Sequence, residues 1–209
     1  MARSTLRQSS TLFVALASFF SCALAAEEID PAALSVLAVS RETQASFAVI
    51  SKVTVAFEGM QKQTFVGAEF HSSHNHRIED ANYRAIIDCN SQTGHRLDVA
   101  TKKLVEGREA ATGVCGIGHR EGLTSLRLLD SVEYEYGKAY RVEAIDDQFR
   151  RTYDVMPNGA IVRNVWQTNT PAAEAVYISE VIEYCEKPLP SVIFTKASIN
   201  ESFLQDACR

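Results

Sequence analysis

The sequence predicts a mainly β (α+β) fold, a curved antiparallel meander or half-barrel of about 8–11 strands with an N-terminal helix against its concave face and a short C-terminal helix. Three observations carry this expectation. Apolar and polar residues alternate at a period of two through most of residues 45–184. Clusters such as Asn90-Ser91-Gln92-Thr93-Gly94 punctuate the alternation with turn chemistry. Helical spacing is confined to the two ends, and a many-stranded antiparallel sheet must curl and cover one apolar face.

The elements follow in chain order. Residues 1–25 read as a signal peptide: Arg3 and Arg7 form a positive n-region, Leu12 to Leu24 an apolar core, and Ala23-Leu24-Ala25 an A-x-A-like cleavage site. Glu27, Glu28 and Asp30 follow at once and the apolar run is short for a bilayer, so no integral membrane segment is expected in the mature chain. Phe19-Phe20-Ser21 puts bulky aromatics ahead of Cys22 where a lipid-attachment motif has leucine and small residues, which favours soluble export, periplasmic or secreted. Residues 26–209 then form a single exported domain, large enough to bury roughly two thirds of its unfolded surface.

Asp30-Pro31 is a helix start, because Asp caps free amides and Pro at the first helical position wastes no donor. Leu34, Leu37, Ala38 and Arg41 continue it, for a helix over 31–44. Phe47, Val49, Ser51, Val53, Val55 and Phe57 alternate along a long strand, and 63–71 pairs back onto it. Strands over 83–89, 96–100 and 103–107 follow; 110–120 is poor in pattern, and 121–129 fits either a helical turn or a strand. Alternation resumes at 132–136, 140–144 and 149–155, then Met156-Pro157-Asn158-Gly159 marks a hairpin returning along 161–167. A strand over 176–184 is last. Ser198-Ile199-Asn200-Glu201 reads as a capping box opening a short helix through Phe203, Leu204 and Ala207.

This succession, with the strand Tyr140-Arg141-Val142-Glu143 and the hairpin Tyr153-Asp154-Val155 to Ile161-Val162-Arg163, resembles the superfamily of periplasmic lipoprotein carriers and related stress-signalling regulators (LolA/LolB/RseB-like) over most of residues 27–195. The resemblance implies an open half-barrel whose apolar concave face, lidded by helices, binds acyl chains. It assigns no site residue.

Without Arg3 and Arg7 the chain carries 19 basic and 26 acidic residues, and no basic run tracks a phosphate backbone, which argues against nucleic acid as a partner. Cys89, Cys115, Cys185 and Cys208 remain after the signal, an even set with three possible connectivities. Pairing of neighbours, Cys89 with Cys115 and Cys185 with Cys208, is favoured because it closes two short loops, each contributing on the order of 3 kcal/mol. Zinc binding by these thiols lacks any C-x2-C pair.

His71-Ser72-Ser73-His74-Asn75-His76 is the densest cluster of potential metal ligands. On a continued strand His74 and His76 share a face, with Glu79 and Asp80 nearby; as a polar turn the segment binds nothing. Cys115 and His119 place a thiol near an imidazole, but an exported cysteine with partners available is expected in a disulfide. Asp146-Asp147 and Glu133/Glu135 lack a histidine, serine or metal in frame and read as turn and strand-surface residues. No motif calls for a cofactor.

Phe47, Phe57, Phe65, Tyr140, Tyr153 and Trp166 are spread over several strands, and are the candidate lining of a concave binding face. The leading expectation is thus an exported, non-enzymatic binder of a hydrophobic small molecule such as a lipid or acyl chain. The alternative is a cell-envelope protein-interaction or sensory module with a filled core, and a lesser one a metal-dependent hydrolase.

Overall fold

The computed structural model describes residues 28–42, 44–57, 59, 61–111, 114, 122–170 and 174–209. The expected signal, Cys115 and His119 lie outside the described residues.

The described chain runs β1 (Glu28–Ile29), α1 (Pro31–Glu42), β2 (Ser46–Val55), β3 (Gln63–Ser72), β4 (Asn75–Glu79), β5 (Tyr83–Asp88), β6 (Thr93–Asp98), β7 (Leu104–Gly107) and α2 (Arg108–Ala111). It continues through β8 (Ser125–Leu128), β9 (Val132–Tyr134), β10 (Gly137–Ile145), β11 (Phe149–Val155), β12 (Ile161–Thr168) and β13 (Ala175–Glu186). Three 3-10 turns, Ser191–Phe194, Lys196–Asn200 and Leu204–Asp206, close it.

The curved, open, antiparallel architecture is the expected one, with 13 strands in one sheet. Its order is β1-β8-β10-β11-β12-β13-β2-β3-β4-β5-β6-β7, with β9 on β10. The meander is therefore split. β2 to β7 form one ribbon and β8 to β13 another, and β13 joins them by pairing with β2 from Tyr177↔Val55 to Glu186↔Phe47. Two strands exceed the sequence expectation. β1 adds a two-residue parallel pairing on β8. β4 arises because Ser73 adopts φ 57°, closing a two-residue turn at Ser73-His74 so that Ser72 faces Asn75.

Asp30 starts α1 as its sequence requires: Oδ1 accepts from the Ala32 amide at 2.8 Å, and Oδ2 accepts from Leu128 N of β8 at 3.2 Å. One cap thus fixes both the helix and the strand beneath it. Ala33 and Leu37, four apart on one helical face, pack with Leu126, Val142, Ala144, Tyr153 and Val155. The far end of α1 rests on the Asn158-Gly159 turn. Gly159 has φ 90°, and a Cβ there would sit 2.7 Å from the Val39 carbonyl oxygen, so only glycine permits this approach.

α1 covers the concave face at β8, β10 and β11, and α2 with Val114 covers it at Ala85 and Ile87 of β5. The N-terminal helix thus lies against the concave face as expected, and α2 covers a second part of that face.

The C-terminal segment packs on the opposite face, where Ile193 and Ala207 bury Ala48, Ile50, Ala68 and Phe70. The capping box does not form. Ser198 lies inside a 3-10 turn, and its Oγ donates to the carbonyls of Ile193 and Thr195 at 3.1 and 2.9 Å. The reason lies in β4: buried Arg77 donates to the carbonyls of Ile193, Ser198 and Glu201, acceptors an α-helix would use internally. Cys185 is bonded to Cys208, with Cα atoms 5.6 Å apart, and this ties the tail to β13. Cys89 is also in a disulfide.

Candidate ligand-binding cleft

In antiparallel strands directly paired residues share a face. The pairings Val49↔Glu69, Ser51↔Gly67 and Val53↔Phe65 therefore project together onto the concave side, with Glu69↔Ile78 and Ile78↔Ala85 extending the row. From the other ribbon, Tyr177↔Val55 and Ser179↔Val53 bring in β13, and Asn164↔Ser179 brings in β12. These residues, with Tyr83, Asp80 and Ile161, line an open cleft of about 230 Å³ between the ends covered by α1 and α2. Gly67 is part of its lining, where the missing side chain leaves space bounded by the Glu79 carbonyl and Asp80 Cβ. Tyr83 also borders a wider, more polar hollow of about 610 Å³ beside α2, lined by Arg96, Asp98, Lys103 and Glu109.

Glu69 is the carboxylate that opens into the cleft, with a third of its side chain exposed. His76 Nδ1 stands 3.5 Å from its Oε1 and 3.4 Å from His71 Nδ1. His71 and His76 are cross-strand partners, fully buried, and Phe47 stacks flat on the His71 ring at 4.8 Å. Burial pushes the Glu69 carboxyl up, but the hydrogen bond and charge of His76 and the charge of His71 outweigh it and hold Glu69 below its ordinary value. Burial, then the Asp80 charge, raise the Tyr83 phenol; burial chiefly raises Tyr177, whose phenol also feels Glu69 and Asp80. The cleft thus sets the carboxylates of Glu69 and Asp80 among Phe65, Tyr83 and Tyr177.

The aromatic residues singled out from sequence divide. Phe65 lines the cleft, and Trp166 packs 5.1 Å from the lining residue Tyr177, with Arg151 over its ring. Phe47 and Tyr153 are buried at 1% and 4%, as core under the histidine pair and under α1. Phe57 meets Phe149 edge to face, and Tyr140 is exposed beside Lys138.

Among the histidines, His71 and His76 come together, whereas His74 sits in the β3–β4 turn, half exposed and 3.9 Å from Asp88. The expected His74/His76 pairing on one strand face is thus corrected, because the tight turn reverses the chain between them. Glu79, the other expected ligand, is engaged by Arg77, and Asp80 Oδ1 accepts from the amides of Asn82 and Tyr83. Among the described residues no group of three or more His, Cys, Asp or Glu is placed to hold a metal.

Sequence reasoning missed Glu69, Ile78, Tyr83 and Tyr177. Glu69 and Tyr177 stand in strands the alternation found, at cleft-facing positions, but the signal that unites them is the β13–β2 register, which is not local.

The sequence matches no protein-family model and no characterised relative. The fold is similar to that of MucB in the Pseudomonas aeruginosa MucA/MucB complex, with TM-score 0.56 and 9% identity, over 83% of this chain and 61% of that one. An uncharacterised conserved protein from Thermus thermophilus aligns with TM-score 0.51 and 11% identity, over 78% of this chain and 90% of that one. A LolA superfamily protein from Nitrosomonas europaea aligns more loosely, with TM-score 0.43 and 11% identity over 79% and 98% of the two chains. The chain spans about three fifths of MucB's length. With MucB and the Thermus thermophilus protein it shares the fold.

Proposed function

We propose that this protein is an exported binding protein that holds part of an amphipathic, lipid-like ligand in the concave cleft. The observation that carries this reading is the centre of the sheet, which no described element covers on its concave side and where Val49, Val53, Phe65, Ile78 and Ile161 face an open space beside Tyr83 and Tyr177. Such a surface, concave and with apolar side chains set among polar groups, suits an amphipathic small molecule. At about 230 Å³ the cleft is below the roughly 300–1,000 Å³ of enclosed ligand sites, so the ligand is only partly buried. Export is supported by the signal-like N-terminus and by the Cys185–Cys208 disulfide, a bond that persists in oxidising compartments. Residues 26–209 act as one domain in this reading. Among the described residues no helix is long and apolar enough to cross a membrane.

The test is native mass spectrometry of the mature protein purified from its own host without detergent, before and after organic extraction. A co-purifying lipid lost on extraction, and absent from Phe65→Ala, is the expected result. A bare polypeptide in the native spectrum counts against tight lipid binding.

A second reading, docking of an envelope polypeptide on the same sheet, is favoured by the fold likeness to a protein solved in complex with MucA. A pull-down from envelope extracts, with Gly67→Leu as the blocked control, separates it from the first.

A further inference from the structure

The cleft carries charged groups that a purely apolar site would lack. Among the described residues its lining includes the carboxylates of Glu69 and Asp80 and no lysine or arginine. Glu79 contributes no free charge, because its carboxylate is turned to Arg77, Ser202 and Phe203 on the other face. Arg96 and Lys103 line the neighbouring hollow, which shares Tyr83 with the cleft.

Resting on the binding function above, we propose that the cleft recognises the cationic head of an amphiphile, an alkylammonium group, with Glu69 as its counter-charge and Phe65, Tyr83 and Tyr177 as its walls. Charge complementarity selects this occupant. Glu69 spends one oxygen on His76 and keeps a third of its side chain open to the cleft. Two tyrosines and a phenylalanine add ring faces, whose negative quadrupole attracts an ammonium ion. The volume argues the same way, since a space of about 230 Å³ suits a head group and its first methylenes better than a whole acyl chain. Val49, Val53 and Ile78 lie along the same cleft and receive those methylenes. An anionic head of equal length would meet the open side of Glu69, with the histidine pair buried behind that carboxylate, and Asp80 beside it.

The test compares single-chain amphiphiles of one chain length, each below its micelle concentration: an alkyltrimethylammonium salt, a neutral alkyl glucoside and an alkyl sulfate. Binding is read by fluorescence of Trp166, the single tryptophan, which touches the lining residue Tyr177. The mature protein is expected to bind the ammonium compound about tenfold more tightly than the glucoside, a difference of about 1.4 kcal/mol, and the sulfate least. The gap should narrow as salt screens it. Glu69→Gln, checked for an unchanged circular dichroism spectrum, is expected to bring the ammonium compound to the affinity of the glucoside. Equal binding of glucoside and ammonium compound by the unaltered protein overturns the charge preference and leaves the binding function standing. Absence of binding by all three overturns both.

Discussion

Arg77 and Glu79 stand two residues apart on one face of β4, fully buried, and between them they hold the last part of the chain in place. Arg77 Nη2 donates to Glu79 Oε2 at 3.0 Å and to the Glu201 carbonyl, while Glu79 Oε1 accepts from the Phe203 amide at 2.6 Å. Nη1 adds the Ile193 carbonyl at 2.8 Å and Ser198 Oγ at 3.1 Å, and the Phe203 ring lies against the guanidinium. Removing one member leaves a buried charge and several carbonyls unpaired. Arg77→Met is expected to destabilise by about 3–5 kcal/mol. Arg77→Lys should not rescue, since an ammonium lacks the planar fork that spans these acceptors. Denaturant unfolding measures the loss, and limited proteolysis should show new cleavage in residues 190–209; a Lys variant as stable and resistant as the parent sinks the account.

The Cys185–Cys208 bond acts on the same tail from its other end. With a sequence separation of 23, its removal in Cys208→Ser is expected to cost about 3 kcal/mol by the chain-entropy account. The effect should be smaller in a background already carrying Arg77→Met, because both act on one segment. Strict additivity in a double-mutant cycle would show the two clasps to be independent.

Acid weakens the fold through carboxyls held below their ordinary values. Burial raises Asp146, but the Phe149 and Gln148 amides and the Arg151 guanidinium outweigh it; Glu69 is lowered by His76 and His71 against its burial. A depressed folded pKa gives stability that is fully present above the unfolded value, 3.8 for Asp146 and 4.5 for Glu69, and is lost as pH falls through the folded value. Melting curves should therefore decline on acidification below pH 4.5, and Asp146→Asn should flatten that decline while lowering stability at neutral pH. An acid limb of the same slope in the variant contradicts the assignment.

Alkali acts through the tyrosines. Burial raises the phenols of Tyr83, Tyr134, Tyr153, Tyr177 and Tyr184, and pushes Tyr136 up to about 12. At Tyr134 the hydrogen bond to Asp154, which also takes Arg141 in a two-pronged pair, adds to the rise. A raised folded pKa gives stability that is complete below the unfolded value of about 10 and lost as pH climbs toward the folded one. Tyrosinate absorbance is expected to appear together with loss of circular dichroism, in one cooperative step above pH ~10. Gradual ionisation of most phenols from that pH with the fold intact would falsify the burial pattern.

Gly67 offers a way to close the cleft without touching the core. A Cβ there makes ordinary contacts, 3.4 Å to the Glu79 carbonyl oxygen and 3.7 Å to Asp80 Cβ, so substitution is tolerated. Gly67→Leu is expected to fill the space, reduce amphiphile affinity at least about tenfold, which is about 1.4 kcal/mol, and leave the melting temperature within a few degrees. Retained affinity in a folded variant would place the ligand elsewhere.

Read in order, the sequence by itself determined the elements whose cause is local. Asp30 caps α1 because its carboxylate lies two residues from the free amide it satisfies. Asn158-Gly159 turns the chain because glycine alone takes the required φ. The strands β2, β3 and β10 to β13 are legible because successive side chains of a strand point to opposite faces, so that residue types recur with a period of two. The tertiary structure decided what depends on distant partners. The β13–β2 register brings Tyr177 beside Val55 and Val53, and no periodicity within either strand specifies it. The histidine cluster became a strand pair because Ser73 takes a left-handed turn that its residue type does not announce. The capping-box pattern at Ser198 lost to Arg77, which lies 121 positions away in sequence. In each case a hydrogen-bonding or packing demand from across the fold outweighed a local preference worth only about 1 kcal/mol. The cleft, assembled from β2, β3, β4, β5, β12 and β13, exists only once those distant demands are met.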